Sequence, residues 1–165
     1  MFAGGVMKKG AVLVFIFGLF LNYNIGASMV SFYVVEAGLS NGIESVRHAE
    51  IWEDAFMDVF FDAGHIVSNA PILRLDTKPK GDILQAVAFD IIDDRGGGIE
   101  YVLIAMLDYS GNLPSPGEIS FYIYRLVPRQ KILERIIPGK SYRTAREELD
   151  DIRSIVRGLV PYIGD

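Results

Sequence analysis

The alternation of apolar and polar positions is most informative between Ile51 and Leu75, in the stretch IWEDAFMDVFFDAGHIVSNAPILRL. At about 100° per residue, Ile51, Trp52, Ala55, Phe56, Val59, Phe60 and Ala63 fall within one half of a helical wheel. Glu50, Asp54, Asp58 and Asp62 step down the opposite side, four residues apart. So wide an apolar arc belongs to a helix packed on a sheet rather than to a narrow coiled-coil seam. Gly64 suits the left-handed position just past the helix end, and Asn41 with Glu44 has capping-box spacing upstream. Ile66 and Val67 begin a strand that ends near Leu75, with Pro71 marking an edge position or a bulge because it cannot donate to a ladder.

The same reading extends along the chain. Val30 to Glu36 is a β-branched and aromatic run of strand length. Asp82 and Gln85 open a second helix whose apolar face is Ile83, Leu84, Val87, Ala88, Ile91 and Ile92, stopped by Arg95 and three glycines. Tyr101 to Leu107 is apolar at odd and even positions alike, which places it inside the sheet with both faces covered. Ile119 to Val127 alternates, turns at Pro128 to Lys131, and returns through Ile132 to Ile137, where Pro138 and Gly139 end the hairpin. Thr144 and Glu147 cap a last helix with Leu149, Ile152, Ile155, Val156, Leu159 and Val160 on one arc. The predicted order is β-α-β-α-β-β-β-α. This is an α/β (α+β) domain, a mixed sheet of about five strands packed with three helices.

Residues 1–28 stand apart. Lys8 and Lys9 precede the apolar run Gly10 to Leu21, and Gly26, Ala27 and Ser28 follow as small residues. That is the layout of a secretory signal, with cleavage expected after Ala27 or Ser28. The apolar run is shorter than the roughly 20 residues of a membrane span. Tyr23 to Val30 would extend it into an uncleaved anchor, with membrane contact through residues 10–21. The expectation is therefore a periplasmic or secreted domain at 29–165, or the same domain anchored to the inner membrane.

Cysteine is absent, so no disulfide supports the fold and no acylated cysteine tethers it. Charge is unevenly spread: Ser28 to Glu118 holds 15 acidic and 5 basic residues, and Ile119 to Asp165 holds 9 basic and 6 acidic. The halves either neutralise each other within one domain or make a dipolar surface that favours head-to-tail association. A net charge of −5 argues against a nucleic-acid partner.

A first strand, a helix running into the Gly-ended strand Phe61-Asp62-Ala63-Gly64-His65-Ile66-Val67, a second helix, and the strand Glu100 to Ala105 feeding a meander and a final helix together resemble a known arrangement. The chain is similar to the CsgG-like and TolB N-terminal-like envelope domains, which include curli-export lipoproteins and outer-membrane activators of peptidoglycan synthases. The resemblance covers about residues 30 to 163 and rests on order and spacing. It implies a periplasmic protein-binding module and transfers no individual functional residue. The lipidated cysteine common in those families is missing here, and the hairpin around Pro128 is too short for a pore.

No catalytic signature accompanies this fold. There is no G-x-S-x-G elbow and no thiol, and a Ser-His-Asp set drawn from Ser68, His65 and scattered acids has no positional basis. The glycines at 96–98 follow a helix instead of opening one, unlike a phosphate loop. His48 and His65 sit at opposite ends of one helix, about 25 Å apart at 1.5 Å rise per residue, and cannot share a metal ion. His65 is expected to bond the helix C-terminus, where a cation is favoured. No catalytic, cofactor-binding or metal-ligating residue is therefore assigned, and no cofactor is expected.

What remains is a surface. Asp54, Asp58 and Asp62 form a carboxylate stripe, and Met57 and Phe61 fall among them on the wheel, away from the core arc. These five residues are the candidate partner surface, although the N-terminal segment is expected to cover Met57 and Phe61. Tyr122 and Tyr124 read as strand packing with surface hydroxyls. The leading expectation is an exported, non-catalytic module that binds an envelope protein. The alternatives are a self-assembling structural component, and a small hydrolase or sugar-binding protein using the Ser110 to Glu118 loop.

Overall fold

Three parallel and two antiparallel pairings build the sheet of this computed structural model, which describes residues 27–39, 46–88, 98–110 and 114–164. Strand β1 (Met29–Ala37) lies in the interior. On one side it pairs in parallel with β4 (Tyr101–Asp108), and on the other with two short edge segments, β2 (Ile66–Asn69) and β3 (Leu73–Leu75). From β4 the sheet continues antiparallel through β5 (Glu118–Leu126) to β6 (Arg129–Pro138), giving the order β2-β1-β4-β5-β6, with β3 following β2 along the same edge. The single strand expected across Pro71 is thus two. Ala70 still donates to the Phe32 carbonyl at 3.1 Å, and pairing resumes only beyond the proline.

Helices cover both faces, which explains why β1 and β4 are apolar at nearly every position. One face carries Val30, Phe32, Val34, Leu103, Leu107, Phe121 and Ile123 against α1 (Val46–Asp62) and α3 (Ala145–Arg157). The other carries Tyr33, Val35, Val102, Ile104, Met106, Tyr122 and Tyr124 against the single turn of α2 (Ile83–Val87). Of the arc expected from the wheel, Trp52, Ala55, Phe56, Val59 and Phe60 are buried and Ile51 and Ala63 partly so, and Ala49 is buried beside them. Trp52 joins the layers, its ring centroid 5.9 Å from Phe56 and 5.4 Å from Phe121 on β5.

The ends of the helices follow local chemistry. At the C-terminus of α1, Gly64 takes φ 88°, its N–H donates to the Phe61 carbonyl, and the His65 N–H donates to the Phe60 carbonyl at 3.1 Å. This pair of bonds is the Schellman arrangement that a left-handed glycine permits. Asp82 caps α2 by accepting from the Leu84 N–H, and Thr144 caps α3 by accepting from the Glu147 N–H. The Glu147 carboxylate returns to the Arg143 N–H, one residue before the cap. The Asn41 and Glu44 capping pair, the continuation of the second helix to Ile92, and residues 1–26 lie outside the described residues.

The β5–β6 hairpin turns at Val127 and Pro128, and its pairing is not continuous. Leu133 faces Ile123 and Lys131 faces Tyr124, so Ile132 is left over as a bulge. Such a bulge bends the strand and re-aims the side chains beside it.

Candidate functional site

Three places on the fold carry chemistry beyond packing. The first is the outward face of α1. Asp54, Met57, Asp58, Phe61 and Asp62 all lie there, so the structure brings the five residues expected from the wheel onto one exposed strip. Phe61 is 71% exposed and Met57 37%, and the expected cover by the N-terminal segment lies outside the described residues. The helical period itself is the reason for the exposure: the core arc is already filled by Trp52, Phe56 and Phe60, and positions 57 and 61 point away from it. Asp58 is held by the Arg153 guanidinium of α3. No ion pair engages Asp54 or Asp62 among the described residues.

The second place lies at the C-terminal ends of the parallel strands, beneath the first turns of α1 and α3. Glu36 is fully buried near the end of β1; its Oε2 accepts from Arg74 Nε at 3.1 Å, and its Oε1 has no partner among the described residues. Tyr109, just past β4, is also buried, and its hydroxyl has no partner among the described residues. Burial, with the charges of Glu36 and Glu148 nearby, pushes the Tyr109 ionisation far up. Glu148 of α3 takes a short 2.5 Å contact from His48 Nδ1 of α1, tying the two helices together. Sequence reading missed this group because Glu36 merely ends an apolar strand pattern. A carboxylate closing a strand that is buried on both faces was the available signal.

The third is a cleft of about 440 Å³ on the α2 face, bounded by Pro79 and Gly81 to Ile83, by Met106, Tyr122 and Tyr124 of the sheet, and by the first half of β6. Tyr122 and Tyr124 pack within the sheet with little exposure, and both line the cleft. The Tyr124 hydroxyl lies 3.4 Å from Asp82 Oδ1, and burial together with that carboxylate pushes its ionisation up to about 12. None of the described residues of the Ser110 to Glu118 loop lines the cleft.

Ala27 is exposed, whereas Ser28 is buried and its carbonyl accepts from the Ile66 N–H at 3.0 Å. Ser28, just before β1, is therefore already bonded to the start of β2. Among the described residues, no group of His, Cys, Asp and Glu is arranged to hold a metal ion. Nor, among them, is any helix long and apolar enough to cross a membrane.

His65 differs from its expected role. Its backbone, not its ring, bonds the end of α1; the ring packs 5.9 Å from Phe60, and its buried Nδ1 has no partner among the described residues. Burial holds the imidazole pKa below its ordinary value, against a smaller opposing pull from Glu100. The unfolded chain then binds this proton more readily than the folded one. The stability it lends is present above the unfolded value of about 6.5 and is lost as pH falls through the folded value. Urea midpoints are expected to drop between about pH 7.5 and 5.5, and to drop less in His65→Gln. Equal drops in both proteins would place the acid sensitivity elsewhere.

No family model and no curated protein matches this chain. Among solved structures it is similar to a point variant of PelC from Paraburkholderia phytofirmans, a dodecamer. The TM-score is 0.46 and the identity 10%, over 81% of this chain and 88% of that one. A second crystal form of the PelC dodecamer gives a TM-score of 0.44 at 10% identity, over 81% of this chain and 87% of that one. TolB from Acinetobacter baumannii gives 0.42 at 14% identity, over 84% of this chain but only 28% of TolB. These similarities carry no assignment of residues, partner or activity.

Proposed function

We propose that this chain is a non-catalytic accessory module of the cell envelope that binds another protein through the outward face of α1. The observation that carries the reading is Phe61: a large aromatic side chain, 71% exposed, beside the exposed Met57 and within a row of aspartates. An exposed aromatic ringed by charge has the composition of an interface hot spot. The complementary partner offers an apolar pocket with a basic rim. Placement in the envelope is supported by the Lys8-Lys9 and Gly10 to Leu21 pattern, and cleavage before Ser28 would leave the sheet intact.

The test is in-cell crosslinking of a C-terminally tagged full chain, with identification of the adducts, in the parent and in Phe61→Ser. Because Phe61 is largely exposed, the variant is expected to keep its circular dichroism and melting temperature. It is expected to lose its main adduct, with affinity falling thirtyfold or more, about 2 kcal/mol. An undiminished adduct in the folded variant would remove α1 as the docking face. A dominant adduct of the chain with itself would redirect the reading to self-assembly.

A further inference from the structure

We propose that the cleft on the α2 face binds an uncharged, polyhydroxylated ligand of the saccharide class. The site is separate from the α1 surface and lies on the opposite side of the sheet. Its volume, about 440 Å³, falls within the ~300–1,000 Å³ range of small-molecule sites.

The case begins with charge. Asp82, Arg129, Lys131 and Glu134 line the cleft and sum to zero. They are also already paired: Arg129 Nη2 donates to Asp82 Oδ2 at 2.7 Å, and Lys131 is bonded to Glu134. A third pair, Lys78 with Glu118 at 2.7 Å, stands close enough to Tyr122 to be felt by it. A charged ligand would meet attraction and repulsion side by side at every wall. A hydroxyl group fits differently, because it donates to a carboxylate and accepts from a guanidinium or ammonium at once, leaving the pair closed. Gln130 adds an amide that both donates and accepts.

The floor supplies the other half of sugar recognition. Ile83, Met106 and the sides of Tyr122 and Tyr124 form an apolar base for the C–H face of a pyranose ring. The Tyr124 hydroxyl directs its proton to Asp82 Oδ1 and keeps lone pairs that can accept from a ligand hydroxyl. The bulge at Ile132 belongs to the same design: it shifts the register beyond Lys131, so that Lys131, opposite Tyr124, and Glu134, opposite Tyr122, share one face of β6.

The experiment is saturation-transfer NMR on the full chain with N-acetylglucosamine, chitobiose and cellobiose as neutral probes, and with glucuronate and glucosamine as charged counterparts. Neutral disaccharides are expected to give the stronger transfer and to keep it at roughly 0.5 M salt, where exposed charge attraction is screened. Gln130→Ala and Glu134→Ala change exposed side chains, and each is expected to weaken the titrated affinity tenfold or more without shifting the melting temperature. Phe61→Ser is expected to bind the disaccharides as the parent does, so the α1 reading and this one fail independently. Stronger binding of a charged probe, loss of the neutral signal in salt, unchanged affinity in both cleft variants, or no transfer from any neutral probe at millimolar concentration would each overturn the proposal.

Discussion

Trp52→Ala is expected to destabilise the protein by about 3–5 kcal/mol, with a melting temperature lower by roughly 10 °C or more. Trp52 is 1% exposed and is among the largest fully buried side chains. Its removal takes away transfer free energy and leaves a cavity between α1 and β5 that the flanking rings cannot close, because Phe56 is itself packed against Phe32 at 5.4 Å. Trp52→Phe keeps an aromatic in the gap and is expected to recover more than half of the loss. Urea unfolding followed by circular dichroism reads both, since the chain's one tryptophan disappears with the mutation. A loss under about 1 kcal/mol for the alanine variant would mean that α1 does not pack on the sheet in this way.

Gly139→Ala is the second. A Cβ at this position would lie 1.6 Å from the Pro116 carbonyl oxygen, 2.7 Å from its carbon and 3.1 Å from the Gly117 carbonyl carbon. All three are backbone atoms, so no side-chain rotation relieves the clash. Two chain segments must part, and the Gly139 N–H to Gly117 carbonyl bond at 2.9 Å goes with them. The expected cost is at least the ~1–3 kcal/mol of ordinary overpacking. Faster amide exchange should be concentrated where Glu118 faces Pro138 and Ile119 faces Ile137. Gly117→Ala is the control: its Cβ would meet only the Asp108 carbonyl at 3.9 Å, and a change within about 0.5 kcal/mol is expected. Equal stability of the two variants would show that the 114–118 segment does not press on residue 139.

The two predictions stand at opposite ends of what a sequence reveals. Trp52 lies on an arc that the helical period alone marks as core. Gly139 reads only as a hairpin terminator, because its contact with Pro116 spans a strand, a turn and the returning strand. The same division holds for function. Met57 and Phe61 among the aspartates are visible on the wheel, and the fold confirms their outward direction. The cleft is not visible: Asp82 reads as a cap and Tyr124 as strand packing, and only the side-by-side placement of α2 with the β5–β6 hairpin makes them neighbours.

By itself the sequence determined the types of element, their broad order, the interior character of β4, and the capped starts of α2 and α3. These depend on periodicity and on hydrogen bonds between residues a few positions apart. The tertiary structure alone decided that the edge strand is two pieces around Pro71, that Glu36, Tyr109, Glu148 and His48 gather under two helix starts, and that neutral ion pairs ring a tyrosine-floored cleft. Those features come from pairings between residues up to about a hundred positions apart, as in His48 with Glu148. Strand order and helix placement set such distances, and neither is written in any local pattern of apolar and polar residues.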